Sequence, residues 1–250
     1  MLGNVSEWCF DFYGPYDLNV AQDPKGPTEG VLRVNRGGGF NDFAKHLRLA
    51  YRSANNPLFH DRNLGFRVAR NDVQGSGTFT TTYKMPVTLK ANPKILIAYF
   101  SHTGNTESAA LYMSEVLGCD IVKITMQEPY RGNIYTVSGK DLMDNYHVPI
   151  STHVDNIQDY DVILLGYPTW WATMPMAVYT FVESHALSGK VILPFSSHGG
   201  TIFGDSISDL SKLTQSSYVG MPFEFYYSGG SSLHEDLISW LKGNGIEVAN

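Results

Sequence analysis

The pattern of apolar and polar positions is regular in the second part of the chain. Residues 95–100 (ILIAYF) form an apolar run that is bounded by polar residues and too short to cross a membrane, which predicts a strand buried on both faces. Four more apolar runs predict strands at 119–125, 161–167, 190–195 and 218–225. Between and after them, apolar residues recur at helical spacing. This alternation predicts an α/β fold with parallel strands joined by right-handed crossovers.

The connection between the second and third predicted strands departs from this regularity. Residues 126–160 are long for one crossover and carry only a weak helical signal, around 141–146. The connection could hold a partner surface or a lid. Its three tyrosines could be exposed or packed, and we expect packing for Tyr130, Tyr135 and Tyr146.

A loop of small hydrogen-bonding residues follows the first predicted strand and precedes a predicted helix. Its hydroxyls, its amide and the free N–H groups of a helix N-terminus favour an anion. The loop lacks a lysine and matches neither the nucleoside triphosphate motif nor GxGxxG, so a neutral cradle for one phosphate monoester is predicted. The alternative is an ordinary capped turn. The candidate residues are Ser101, His102, Thr103, Gly104, Asn105 and Thr106.

Two further loops follow the third and fourth predicted strands, at the sheet edge where ligands of such folds bind. The first has two adjacent indoles that could flank a flat ring, or one could pack in the core while the other covers a helix. The second has paired glycines that let backbone N–H groups approach a ligand. Its histidine could donate a hydrogen bond and titrate, or pack against the next helix. The candidates are Pro168, Thr169, Trp170 and Trp171, then Ser197, His198, Gly199 and Gly200.

These three loops resemble those of flavodoxins, and the resemblance covers about residues 92–250. It implies a flavodoxin-like, doubly wound, five-stranded parallel sheet that binds FMN. By the same resemblance, residues 101–106 hold the phosphate, residues 168–171 flank the ring, and residues 197–200 lie near its polar edge.

Three functions fit this resemblance. The domain could carry electrons between partner proteins through FMN, reduce quinones or other small acceptors with NAD(P)H, or act as a flavin-free binding module. The intact loops argue against the binding module. We favour the carrier because the sequence shows no nicotinamide phosphate motif.

The first seventy residues have a different character, rich in glycine, asparagine, arginine and aromatic residues. They resemble the C-terminal end of the formylglycine-generating, sulfatase-modifying family. The matching segments are Gly3–Trp8, Arg36–Gly38, Tyr51–Asn56 and Asn63–Arg70. The resemblance implies a small irregular fragment of that fold, because the chain begins at the first of these motifs.

This fragment lacks groups on which the family's activity depends. Family members use paired cysteines within the stretch that corresponds to Gly37–Arg52, where this chain has none. The family's calcium contacts around Gly3, Val5 and Glu7 would also lack their upstream partner. Formylglycine-generating activity is therefore not expected.

Composition and charge give the remaining expectations. The domains are predicted as 1–70, a linker at 71–92 rich in Gly, Ser and Thr, and 93–250. Residues 73–250 contain sixteen acids and nine Lys or Arg, which argues against nucleic acid and favours basic redox partner proteins. Two cysteines and no leader favour a cytoplasmic protein, and no apolar run could span a membrane. No metal site is expected, so Cys9, His46 and His60 are predicted to be packing or surface residues.

Overall fold

The chain falls into two units, Met1–Pro86 and Val87–Asn250. The computed structural model describes residues 3–15, 26–28, 30, 32–40, 42–55, 57, 62–67, 89–201 and 203–248. Most of the predicted linker at 71–92 lies outside these residues, as do His60, Asn56 and residues 68–70 of the matched segments.

The first unit contains a small mixed sheet with strand order β3-β2-β1-β4. β1 pairs antiparallel with β2 and parallel with β4, and β2 pairs antiparallel with β3. His46 lies in a 3-10 helix, Ala44–Leu47, where it is buried and stacks on Tyr51 with ring centroids 4.6 Å apart. The strands are β1 (Ser6–Phe12), β2 (Arg33–Arg36), β3 (Ser53–Asn55) and β4 (Leu64–Gly65).

The second unit contains a parallel sheet with the order β10-β8-β7-β5-β6, and β9 also pairs with β8. The predicted fifth strand is thus present in two pieces along one edge, separated by Gly220–Pro222. Pro222 has no N–H for the ladder, which explains the interruption. The strands are β5 (Ile95–Tyr99), β6 (Asp120–Lys123), β7 (Val162–Pro168), β8 (Val191–His198), β9 (Tyr218–Val219) and β10 (Phe223–Tyr226).

Helices cover both faces of this sheet. Alternate residues of β5, β7 and β8 point to opposite faces, so that one core lies under α1 and α5 and the other under α3 and α4. Among the described residues, no helix is long and apolar enough to span a bilayer. The helices are α1 (Asn105–Leu117), α2 (Ile134–Met143), α3 (Met176–Ser184), α4 (Ser206–Leu213) and α5 (Leu233–Gly243).

The long connection between β6 and β7 differs from its prediction. Its helix, α2, covers Ile134–Met143 rather than 141–146, because the Asn133 side chain caps it by accepting from the N–H groups of Tyr135 and Thr136. Packing was the wrong expectation for Tyr135 and Tyr146, which are 69% and 52% exposed. The short α2 buries only Ser138 fully, which leaves its outer residues in solvent.

Gly166 gives the first testable prediction. It lies in β7 opposite Phe195 of β8, and a Cβ at this position would come within 2.2 Å of the Phe195 ring. We expect Gly166→Ala to lower the free energy of unfolding by about 1–3 kcal/mol, because the buried ring must shift. Urea denaturation measures the change.

A matched control lies at the end of α5. A Cβ at Gly243 would meet no protein atom within 4 Å, and Gly243→Ala should leave stability equal or slightly higher. Equal stability of the two variants would contradict the close packing of β7 against β8.

Candidate functional site

Hydrogen bonds join the three candidate loops at the carboxyl edge of the parallel sheet. The Thr106 and Ser197 hydroxyls are 2.8 Å apart and buried, which ties the start of α1 to β8. The Thr169 N–H donates to the Ser197 carbonyl at 2.9 Å, and its hydroxyl lies 2.7 Å from that of Ser196. The sheet therefore brings together the three segments that the sequence predicts at this edge.

The first loop leaves the start of α1 open to a ligand. Gly104 occupies the N-cap position with φ 92°, and its N–H donates to the Ser101 hydroxyl at 3.2 Å. No described side chain caps this helix, and a Cβ at Gly104 would meet no protein atom within 4 Å. His102 and Thr103 are exposed. The free N–H groups of the first turn are thus available to an anion.

The one acidic residue in the first turn of α1 is already neutralised. Glu107 accepts hydrogen bonds from Lys123 and from the Tyr99 hydroxyl, each at 2.9 Å. These bonds hold the pKa of Glu107 below its ordinary value, while burial and the bond to Glu107 raise the pKa of Tyr99. Because Lys123 balances the carboxylate, the helix start keeps its preference for a negative group.

The second loop turns sharply and separates the two indoles. Trp170 and Thr173 exchange backbone hydrogen bonds, and the two residues between them have positive φ values, 54° for Trp171 and 59° for Ala172. The Ala172 carbonyl accepts the Asp205 N–H at 2.6 Å, which holds this strained turn against the start of α4.

The two indoles lie in different surroundings. The Trp170 ring is edge-on to Phe100 and His102, with centroids 5.5 and 5.9 Å away, so it lies beside the first loop. The Trp171 Nε1–H donates to the Ser138 hydroxyl at 3.1 Å, and its ring covers α2. The structure thus follows the packing alternative, since Trp171 covers a helix and Trp170 is partly buried against the core under α3 and α4. Trp170 also lies beside the first loop.

The third loop begins later than the sequence predicts. Ser196, Ser197 and His198 belong to β8 and are buried, so ending this strand at 195 was wrong. The strand continues because Ser197 pairs with β7 on one side and with β10 on the other. Gly199 and Gly200 remain as an exposed loop.

Residues from the end of β10 complete this part of the site, and the sequence analysis missed them. Glu224 pairs with the His198 imidazole, so the histidine faces β10 rather than the following helix. The Tyr226 ring is edge-on to His198, and the Tyr227 ring lies 3.4 Å from a Cβ built on Gly199. Both tyrosines are more than half exposed. Their position directly after the predicted strand at 218–225 was the signal that could have found them.

No group of three His, Cys, Asp or Glu side chains that could hold a metal occurs within the described ranges. The site therefore consists of hydroxyls, backbone N–H groups, aromatic rings and one imidazole–carboxylate pair. Such a set suits a phosphate monoester that carries a planar ring.

The buried bond between Thr106 and Ser197 can be tested by a double-mutant cycle. Thr106→Val should lower the free energy of unfolding by about 1–2 kcal/mol, because it leaves the Ser197 hydroxyl buried without this partner. Ser197→Ala should then lower the free energy of unfolding less in the Thr106→Val variant than it does in the wild type. Strictly additive effects in urea denaturation would contradict the link between α1 and β8.

Comparisons with known proteins agree with this architecture. A family model described as "Flavodoxin" matches residues 94–243. A structure described as that of a candidate flavoprotein from Bacteroides eggerthii is 31% identical, with a TM-score of 0.56, and the match covers 62% of this chain and all of that one. A second such protein, from Bacteroides uniformis, is 25% identical with a TM-score of 0.54, over 60% of this chain and 98% of that one.

The first unit matches a different family model, "Sulfatase-modifying factor enzyme 1-like domain", over residues 1–72. A formylglycine-generating enzyme of Streptomyces coelicolor is 41% identical over 81 residues, which are 30% of this chain. A Chlamydia pneumoniae protein named serine/threonine-protein kinase pkn1 is 44% identical over 75 residues, or 28% of this chain. The chain spans only 26% and 12% of the lengths of these two relatives.

Proposed function

Because the chain belongs to the flavodoxin family through residues 94–243, we propose that its second unit binds FMN and transfers electrons through it. The observation that carries the proposal is the uncapped start of α1, joined by a buried hydrogen bond to the strand that leads into the glycine loop. The likeness to the Bacteroides eggerthii protein supports the same assignment.

Each part of the site has a role in holding FMN. The loop at 101–106 receives the phosphate through its hydroxyls and the N–H groups of α1. Trp170, beside this loop, offers a face or edge to the planar ring, and the exposed Gly199 offers its backbone N–H to the polar edge of the ring. When bound, FMN supplies the electron-accepting and electron-donating chemistry, while the protein binds and orients it and excludes water.

The charge of residues 73–250 guides the choice of partner. Sixteen acids against nine bases favour association with proteins that present a basic surface. We therefore propose an electron carrier between proteins, and a reductase that takes hydride from NAD(P)H is the competing function.

For residues 1–72 we propose no formylglycine-generating activity. The stretch Gly37–Arg52 has no cysteine, and the family's oxidation chemistry depends on a cysteine pair there.

The phosphate site is tested by a charge placed at the start of α1. Asn105 is the first residue of this helix, where Asp is compatible with the helix dipole, so Asn105→Asp should keep the fold. Its carboxylate should repel the FMN phosphate and raise the dissociation constant for FMN at least about tenfold. Riboflavin, which has the same ring without the phosphate, should bind wild type and variant equally. An equal loss of affinity for FMN and for riboflavin would contradict the binding of a phosphate at this loop.

The choice between carrier and reductase is tested on the protein loaded with FMN and desalted. Visible absorption should show retained flavin, and anaerobic NADPH alone should bleach it only slowly. Adding a separate flavodoxin reductase should bleach it quickly, as expected for a carrier. Rapid bleaching by NADPH alone would establish the reductase, and a folded sample that retains no flavin would contradict FMN binding.

A further inference from the structure

The buried His198 imidazole is held by two partners at the point where β8 leads into the glycine loop. Its Nδ1 accepts the Gly200 N–H at 3.0 Å, and its Nε2 is hydrogen-bonded to a carboxylate oxygen of Glu224. Glu224 comes from β10, where it is opposite Ser196 and two residues before Tyr226, the residue opposite His198. The imidazole therefore connects the edge strand to the loop.

These two contacts fix the tautomer of the imidazole. A nitrogen that accepts a hydrogen bond carries no proton, so Nδ1 is unprotonated and Nε2 carries the hydrogen. The Glu224 carboxylate can only accept, so it selects the Nε2–H tautomer. The neutral ring can thus hold the Gly200 N–H, whereas a ring protonated on both nitrogens cannot.

Gly200, which this hydrogen bond holds, has an unusual backbone conformation. Gly200 has φ 129°, a value that side-chain-bearing residues rarely adopt, and a Cβ there would meet no protein atom within 4 Å. The hydrogen bond to His198 is the contact that ties this exposed residue to the buried end of β8. Without it, the loop keeps the wide conformational freedom of two adjacent glycines.

We propose that His198 and Glu224 form a positioning pair that sets the glycine loop for FMN, and that protonation of His198 releases the loop and weakens FMN binding. The inference rests on the proposed FMN site. A proton from solvent binds Nδ1, the bond to Gly200 breaks, and the imidazolium stays paired with Glu224. The N–H of Gly199, next to Gly200, then loses its alignment toward the ring edge.

Among the described residues that contact His198, Glu224 is the charged one. From β10 come Glu224 and Tyr226, whose ring is edge-on to the imidazole with centroids 5.9 Å apart. From the following turn, the Tyr227 N–H donates to the His198 carbonyl at 2.9 Å. On the β7 side, Pro168 pairs with Ser197 and cannot titrate. A proton that binds the imidazole therefore comes from solvent or from Glu224.

Two substitutions separate the contacts of the imidazole. His198→Asn places an amide oxygen near the position of Nδ1 and keeps an acceptor for Gly200. His198→Gln places its amide near Nε2, next to Glu224, and leaves Gly200 without an acceptor. The dissociation constant for FMN is measured by flavin fluorescence for each variant between about pH 8 and about pH 5.5, the range that spans imidazole titration.

The expected results differ among the variants. In the wild type the dissociation constant should rise about tenfold as the pH falls, the effect of one lost hydrogen bond. His198→Asn should bind nearly as tightly as the wild type at pH 8 and show a clearly smaller rise, and the part that remains comes from protonation of the FMN phosphate in the same pH range. His198→Gln should bind about tenfold more weakly at every pH. Glu224→Gln should raise the dissociation constant at pH 8, because an amide can also donate to Nε2 and the carboxylate's selection of the Nε2–H tautomer is lost.

A readout without FMN tests the same contact in the apoprotein. The Gly200 amide resonance should shift with pH in the wild type and stay constant in His198→Asn. The control is His234→Asn in α5, since His234 stacks on Tyr112 of α1 with centroids 3.7 Å apart and lies outside the site. It should leave both the FMN affinity and its pH profile unchanged.

The outcomes that overturn the inference are separate from those that overturn FMN binding. A wild-type affinity that does not change with pH, or His198→Gln binding as tightly as the wild type, would refute the positioning pair. If the wild type binds no FMN at any pH, the proposed function fails, and the Gly200 amide resonance alone then decides whether His198 holds the loop.

Discussion

The common parallel register of β5, β7 and β8 is the constraint on which the site depends. Gly166 is opposite Phe195, and two residues later Pro168 is opposite Ser197, so these strands end at nearly the same level. The Phe100 N–H continues the ladder by donating to the Gly166 carbonyl at 2.9 Å. Because the strands run parallel, the segments that follow them must meet at one edge. The absence of a side chain at Gly166 allows the two inner strands to keep this register around a large aromatic ring.

Much of this arrangement could be predicted from the sequence because its signals are local. The run at 95–100, the small residues at 101–106 and the stop at Gly118 lie within one strand–loop–helix unit, and the structure places β5 and α1 there. The connection at 126–160 was harder, because α2 owes its start to one Asn133 cap and buries little of its surface. Periodicity is weak where burial is small, so the helix bounds and the exposure of Tyr135 were missed.

The parts of the site that escaped the sequence analysis depend on contacts between distant segments. His198 belongs to a strand rather than a loop because β10 pairs with it and β7 pairs with the preceding Ser197, which no local pattern at 196–201 indicates. Its partner Glu224 is 26 residues away along the chain. The two indoles were also difficult to predict. They are adjacent in the sequence, but a turn with positive φ values at Trp171 and Ala172 places their rings in different surroundings. The residue types in each segment were enough to predict the loops. Which of their residues pair, pack or stay exposed depends on contacts with distant segments.

An acidic domain that binds a phosphate poses an electrostatic conflict, which distance resolves. Charges farther away than about 8 Å are largely screened at physiological ionic strength, so the excess of acids over the whole domain acts weakly at the first loop. Within that distance the structure removes the one acidic group of the first turn by pairing Glu107 with Lys123 and Tyr99. The N–H groups of α1 then act on an anion without an opposing charge. The Glu107–Lys123 pair therefore favours the proposed phosphate site from outside the loop, by balancing the acidic group in the first turn of α1.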